Sequence, residues 1–388
     1  MHPTLLYARK KATAMLHVKK KNMCSHKFAK VGFFTKIYVQ NNVKQHLQWQ
    51  ALSVNREFEP AVSIIVPVRN GEKTIPALLE SLMKLDYNRE KLEFLVVDGN
   101  SIDKTKDVVK QYPSVKLIIQ NGDGLNAGRN TGIRNSKSEI IAFTDSDCVI
   151  PVDWVRNIVK NFDDPQIGCL GGNIKGYDSD FLSQYADNSF MPVLRIFKKH
   201  EVLDSIELFQ RYPAGCNMAF RRKTLEDVGG FDEGIRHPFE EDEAVERVCK
   251  AGYKMVLDPN CLVLHKHRSS LKELLKQNFS YGRGIGFLLK KKKTKEPISR
   301  WALLNLLGFL SWFSASVLFI LILTLGWKNF YIFPLSIVLT PLLGLAMIYA
   351  LRAIKNRRYE RIVIYPFIDL LRELAFSLGE VYQLFKKE

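Results

Sequence analysis

Two stretches toward the C-terminal end leave this chain little freedom in how it can fold. Trp301 to Trp327 runs 27 residues without a charge, and Asn329 to Leu351 adds 23 more, with Lys328 alone between them. About 20 apolar residues in a helix cross a hydrocarbon core, and neither segment carries the polar face of a helix packed on the side of a soluble domain. The pattern predicts a transmembrane helical hairpin that turns at Gly326 and Lys328. Basic residues stand on its other side: Lys290 to Lys293, Lys295 and Arg300 before it, Arg352, Lys355, Arg357 and Arg358 after it. By the positive-inside tendency both flanks, and the large segment that precedes them, face the cytoplasm.

More than half of the formal net charge of +17 falls in residues 1–60, where eleven Lys or Arg meet two acids. Such a patch suits nucleic acid or an anionic bilayer. No aromatic-interleaved basic motif or helix-turn-helix pattern accompanies it, so no nucleic-acid partner is expected. Residues 1–60 read as a basic extension, within which Met15 and Met23 are alternative starts, and the first thirty residues lack the continuous apolar core of a signal peptide. Cys24, Cys148, Cys169, Cys216, Cys249 and Cys261 are scattered with no Cys-x-x-Cys spacing. That spacing argues against a zinc site or a disulfide framework and agrees with a reducing compartment.

From Val62 the pattern changes to alternating strands and helices. Ser63–Val68, Glu93–Asp98, Lys116–Ile119 and Ile140–Thr144 are apolar, β-branched runs, separated by helical segments at Glu72–Met83, through Val108 and Val109, and at Asn126–Asn135. Continuous apolar strands alternating with helices predict an α/β fold with a doubly wound, mostly parallel sheet. Ligands bind such sheets beyond the carboxyl ends of the strands, where Asp98 and the pair Asp145 and Asp147 fall. Carboxylates one residue apart at a strand tip suit a hard divalent cation, Mg²⁺ or Mn²⁺, shared with a substrate diphosphate. An acid at the tip of the second strand can accept from the imide N–H of uracil or guanine. The part between 151 and 270 is more irregular. Its acidic run Glu240-Glu241-Asp242-Glu243 opens a helix that ends near Gly252, acids being favoured in a first helical turn.

Taken together, residues 62–290 resemble the family 2 glycosyltransferases, enzymes of GT-A fold that use nucleotide-diphosphate sugars. The segment Val62 to Asn70 with Glu72 looks like the family's opening nucleotide-binding strand. Val96-Val97-Asp98-Gly99-Asn100-Ser101 looks like the segment whose Asp grips the base. Gly128-Arg129-Asn130-Thr131-Gly132 is similar to the Ala-Arg-Asn-x-Gly helix start, with Gly in place of Ala. Thr144-Asp145-Ser146-Asp147 matches the Asp-x-Asp, while Gly215 to Phe220 and Gly229 to Glu233 resemble acceptor-side segments.

The resemblance implies nucleotide-sugar contacts at Pro67, Arg69, Glu72, Asp98, Arg129 and Asp145, and a metal held by Asp147 with Asp145. It implies a catalytic base at Glu241 or Asp242: counting back from Arg247 and Ala251-Gly252-Tyr253 selects Glu241, and matching the Glu-Asp dipeptide selects Asp242, toward which residue identity leans. His265 and His267 are either further metal or diphosphate contacts or structural. Gln277 and Tyr281-Gly282-Arg283-Gly284 stand where processive synthases carry Gln-x-x-Arg-Trp, but the Trp is missing and only two spans follow. Ile362 to Phe385 is amphipathic, with Asp369, Arg372, Glu373 and Glu380 among apolar residues, and predicts a helix on the membrane or against the catalytic domain rather than a third span.

The expected organisation is therefore an extension over 1–60, a GT-A catalytic domain over 61–290, two transmembrane helices over 300–352 and a cytosolic amphipathic segment over 353–388. The expected activity is an inverting transfer from a nucleotide-diphosphate sugar to an acceptor hydroxyl or phosphate, lipid-linked through a polyprenyl or dolichyl chain. A processive synthase-like transferase, a nucleotidyltransferase and a non-catalytic membrane scaffold are the rival readings.

Overall fold

Every residue of strand β1 (Val62–Val68) is buried, as a strand covered on both faces must be. In the computed structural model, which describes residues 58–190, 196–206, 212–235, 238–292, 297–325, 332–356 and 361–386, β1 sits near the middle of one sheet. The expectations for residues 1–57, for the turn at Gly326 and Lys328, and for Lys293, Lys295, Arg357 and Arg358 lie outside the described residues.

The first half of the sheet is parallel, in the order β3 (Val115–Ile119), β2 (Leu92–Asp98), β1 and β4 (Ile140–Phe143). Beyond β4 the direction reverses at β8 (Met218–Arg221), which pairs antiparallel with both β4 and β6 (Ile167–Gly176). The long β9 (Lys254–His265) runs parallel to β6 and carries two short antiparallel strands, β5 (Cys148–Val149) and β7 (Glu201–Leu203). The mixed half is what the irregular pattern after residue 151 encodes: these strands are reached by excursions, not by regular βα units.

Helices α1 (Ile75–Leu82), α2 (Thr105–Val109) and α3 (Leu125–Asn135) make the crossovers of the parallel half. Three more follow: α4 (Trp154–Val159), α5 (Phe181–Asn188) and α6 (Arg222–Val228). The core between sheet and helices is centred on Phe143, Phe220 and Phe231, whose rings meet edge to face at 5.4 to 6.1 Å. Such pairs contribute about 0.5–1.5 kcal/mol beyond their buried area.

After α7 (Glu240–Lys250) the chain ends in four long helices, α8 (Leu271–Lys292), α9 (Pro297–Thr324), α10 (Ile332–Asn356) and α11 (Arg361–Phe385). Leu303–Thr324 and Leu335–Arg352 are long and apolar enough to cross a membrane, with mean hydropathies of 2.4 and 1.8 and almost no residue buried. Helix α11 crosses α8 at glycines. A Cβ at Gly282 would stand 1.8 Å from the Phe376 carbonyl oxygen, and one at Gly379 would stand 2.0 Å from that of Phe279. Only glycine lets two helix backbones approach so closely.

In α11 polar side chains share the buried face with the apolar Tyr365, Ile368 and Phe376. Asp369, Arg372, Ser377, Glu380 and Gln383 are buried, whereas Val363, Phe367 and Phe385 are 77, 56 and 83% exposed. The buried Asp369 accepts hydrogen bonds from Tyr185 of α5 and Tyr349 of α10, and Arg372 donates to Tyr185. This network fastens α11 to the domain that carries the sheet and to an apolar helix at once.

Candidate active site

The carboxyl ends of β1 and β2 are tied into one rim. Asn70, at a left-handed φ of 57°, donates its N–H to Ser101 Oγ, and its own side chain accepts from the Ile102 N–H. Glu72 accepts from the Lys104 N–H, and its N–H donates to Asp103, so the Glu72 carboxylate is engaged in joining the two loops. Pro67 is buried within β1 and Arg69 is exposed just after it. At the tip of β2, Asp98 is fully buried; one oxygen accepts from the Ser101 N–H, and Oδ1 has no hydrogen-bond partner among the described residues. A buried acceptor left open in this way is costly unless a ligand donor completes it.

Two strands away in the sheet, β4 ends in Asp145-Ser146-Asp147, turned by the Cys148 N–H donating to the Asp145 carbonyl. Strand β5 then pairs with the end of β9 so that Cys148 stands opposite His265. His265 Nε2 lies 3.3 Å from one Asp147 oxygen and Arg268 lies 3.7 Å from the other. Burial works against the Asp147 charge, yet His265 and Arg268 hold the carboxyl below its usual range. For His265, burial is outweighed by Asp147, and the imidazole is pushed up to about 9. Asp145 goes the other way: burial first, then the Asp147 charge, raise it to about 6. A divalent cation beside both carboxylates would favour their charged forms.

Asp147, Cys148 and His265 bring one ligand atom each within 4.8 Å of the others. His265 Nδ1 is buried without a partner among the described residues. A carboxylate, an imidazole and the neighbouring Asp145 make a donor set that fits a divalent cation. The second histidine is placed differently: His267 lies 3.7 Å from Asp187, whose carboxylate accepts from the Gly176 N–H.

The opposite wall is the start of α7. Phe239 enters it at φ 76°, a conformation that costs a bulky residue about 1–3 kcal/mol, and its ring packs on Tyr281 of α8 at 5.8 Å. The next residue, Glu240, is buried and paired with the equally buried Arg129 of α3 at 2.9 Å. Burial and then the charge of Glu241 push Glu240 up to about 7. Arg129 also donates to Asn126 and lies over the Phe231 ring. A Cβ at Gly215 would stand 2.3 Å from Arg129 Nη2, so glycine is required for this layer to close.

Glu241 follows, half-buried, with Oε1 accepting from the Gly215 N–H at 3.3 Å and its charge felt at Asp145. Asp242 is buried, with 4% of its surface exposed. Glu241 is thus joined to the Asp145 side of the site.

The segments read as acceptor-side have internal work. Asn126 and Asn130 of α3 donate to the carbonyls of Asp232 and Phe231, and Asn130 accepts from the Phe231 N–H. Asn217 accepts from the Trp154 indole and donates to the carbonyls of Asn173 and Cys261. Sequence reasoning missed Glu240 as the partner of Arg129, Arg268 as a neighbour of Asp147, and the thiol of Cys148 beside His265. The available signal was adjacency: Cys148 follows Asp147, Arg268 follows His267, and Glu240 precedes Glu241.

Comparisons with known proteins bear on the family and on the fold. Residues 63–229 match the profile of Glycosyl transferase family 2. Glycosyltransferase AglE of Haloferax volcanii is 29% identical over 262 residues, covering 65% of this chain and 82% of that protein. A Methanococcus voltae enzyme, dolichyl N-acetyl-alpha-D-glucosaminyl phosphate 3-beta-D-2,3-diacetamido-2,3-dideoxy-beta-D-glucuronosyltransferase, is 25% identical over 59% of this chain and 74% of its own length. Among solved structures, the mannosyltransferase PcManGT from Pyrobaculum calidifontis, in complex with GDP-Man and Mn²⁺, superposes with a TM-score of 0.55. It shares 18% identity and covers 92% of this chain and 98% of that one, a likeness of fold.

Proposed function

Because this chain belongs to glycosyl transferase family 2, we propose that it is an inverting enzyme. It moves a sugar from a nucleotide-diphosphate donor to a lipid-linked acceptor, polyprenyl or dolichyl, at the cytosolic face of a membrane it spans twice. The observation that carries the reading is the convergence at one sheet edge of Asp147 with His265, and of Glu241 with Gly215 beside Asp145.

The roles follow from this arrangement. Asp98 receives an imide N–H of the base at its open oxygen. Asp147, Asp145 and His265 would hold the divalent cation, Mn²⁺ or Mg²⁺, which when bound neutralises the diphosphate and eases its departure. Glu241 takes the proton of the acceptor hydroxyl as that oxygen attacks the anomeric carbon and the nucleoside diphosphate leaves from the opposite face. Arg129 and Glu240 lie behind Glu241 and fix the start of its helix. Asp242, which residue identity favoured as base, lies buried one position further along α7.

Support for the membrane setting is the pair of apolar helices, the exposed apolar residues of α11, and the basic Lys290–Lys292, Arg300 and Arg352 that flank the apolar stretches in sequence. The dolichyl substrate in the name of the Methanococcus voltae relative points to the same kind of acceptor. Membranes containing the protein, supplied with radiolabelled nucleotide sugars, test this: label should pass into organic solvent and return to water on mild acid treatment. Label found in water-soluble product alone would contradict the lipid acceptor.

A further inference from the structure

The candidate cation cluster has a soft side that its assigned role does not use. Cys148 is 1% exposed and brings its sulfur among the ligand atoms of Asp147 and His265. It reaches this place from β5, opposite His265 at the end of β9. The three side chains therefore arrive from two separate parts of the chain. That is why the cysteine spacing, which argued against a zinc site, could not reveal the grouping.

A carboxylate, an imidazole and a thiol are not the donor set of a dedicated magnesium or manganese site. Hard cations take oxygen ligands, whereas thiolate with imidazole selects zinc and its neighbours in the transition series. Tetrahedral zinc holds nitrogen at about 2.0–2.1 Å and sulfur at about 2.3 Å, which sets its ligand atoms about 3.3–3.8 Å apart. Ligand atoms of Asp147, Cys148 and His265 within 4.8 Å of one another need only small side-chain rotations to meet that spacing. The fourth position is left to water, as in zinc sites with three protein ligands.

We propose that Asp147, Cys148 and His265 form a zinc-selective site that overlaps the proposed diphosphate–metal site. On binding, the Cys148 thiol and the His265 imidazolium each release a proton to solvent, one Zn–S and one Zn–N bond form, and no electron is transferred. Zinc so placed takes Asp147 away from the cation that the donor diphosphate requires. The enzyme is then inhibited by zinc at concentrations far below those of the activating metal, as the order of divalent affinities dictates. This consequence rests on the proposed function; the site itself does not.

The test uses the full-length protein in detergent, titrated with Co²⁺ and then Zn²⁺. Wild type should develop a thiolate-to-cobalt charge-transfer absorption at one equivalent, and Zn²⁺ should abolish it. Cys148→Ser should remove that absorption and weaken zinc binding by at least about tenfold, the scale on which even outer-shell partners of a metal are felt. His265→Gln should weaken both and serves if Cys148→Ser fails to fold, while Cys249→Ser, outside the cluster on α7, should leave the spectrum intact.

A wild-type cobalt spectrum without thiolate absorption, or zinc affinity unchanged in both cluster variants, would overturn the site. Stabilisation by nucleoside diphosphates with Mn²⁺, followed in the same preparations, separates the two ideas. A thiolate band without any nucleotide effect leaves the site standing and removes the proposed function. A nucleotide effect without the band does the reverse.

Discussion

Arg129 Nη1 lies 2.9 Å from Glu240 Oε1, a fully desolvated pair between residues 111 positions apart. A buried pair contributes little net stability compared with apolar residues of the same size, but removing one partner leaves an uncompensated charge. Arg129→Met should therefore cost about 3–5 kcal/mol in chemical denaturation, and adding Glu240→Met should recover much of it. The loss in the single variant should grow as pH rises above about 7, since below that Glu240 is already protonated. A loss that is small and flat with pH would show that the pair does not organise the wall of the site.

Glu241 and Asp242 separate the catalytic role from a structural one. Glu241→Gln should lower kcat by about 10²–10⁴-fold, the usual contribution of a general base, without weakening donor binding. Asp242→Asn should retain most of the turnover and lower the melting temperature instead, because Asp242 is buried. Turnover abolished by Asp242→Asn in a protein that melts normally would return the base to Asp242.

Glu380 gives a pH dependence whose sign can be worked out. Burial, and then the charge of Glu373 on the same helix, raise its carboxyl from 4.5 to about 8; Asn305 of α9 is the polar group that counters them. An acid raised on folding holds its proton in the native state after the unfolded chain has released it. Stability from this group is complete below about pH 4.5 and is lost as pH rises through about 8. Glu380→Gln should melt higher than wild type at pH 8.5 and no higher at pH 4.5; identical differences at both values would contradict the burial argument.

The parallel half of the sheet was legible because each strand is local, apolar and followed by its own helix, as β1 with Ile64, Ile65 and Val66 illustrates. The strand tips carrying Asp98, Asp145 and Asp147 followed from the same reasoning. What sequence left hidden depends on distant pairing. Arg129 reads as a donor contact until Glu240 arrives from 111 residues away, and His265 reads as one of two equal histidines until β5 pairs with the end of β9. The identity of the base was ambiguous for a similar reason, since four consecutive acids differ only in what the fold places beside them. The mix of apolar and charged residues in α11 was visible, but that Asp369 turns inward depends on Tyr185 and Tyr349, on two other helices.

The central claim is that Asp147 holds a cation for a nucleoside diphosphate, and thermal unfolding of the detergent-purified protein with UDP, GDP, CDP or dTDP, with and without Mn²⁺, tests it most directly. A ligand at about 100 times its dissociation constant stabilises by about 2.7 kcal/mol. One nucleotide should raise the melting temperature only when Mn²⁺ is present, and Asp147→Asn should abolish the rise while leaving the unliganded protein folded. A rise of the same size without metal, or one undiminished in Asp147→Asn, would contradict the account.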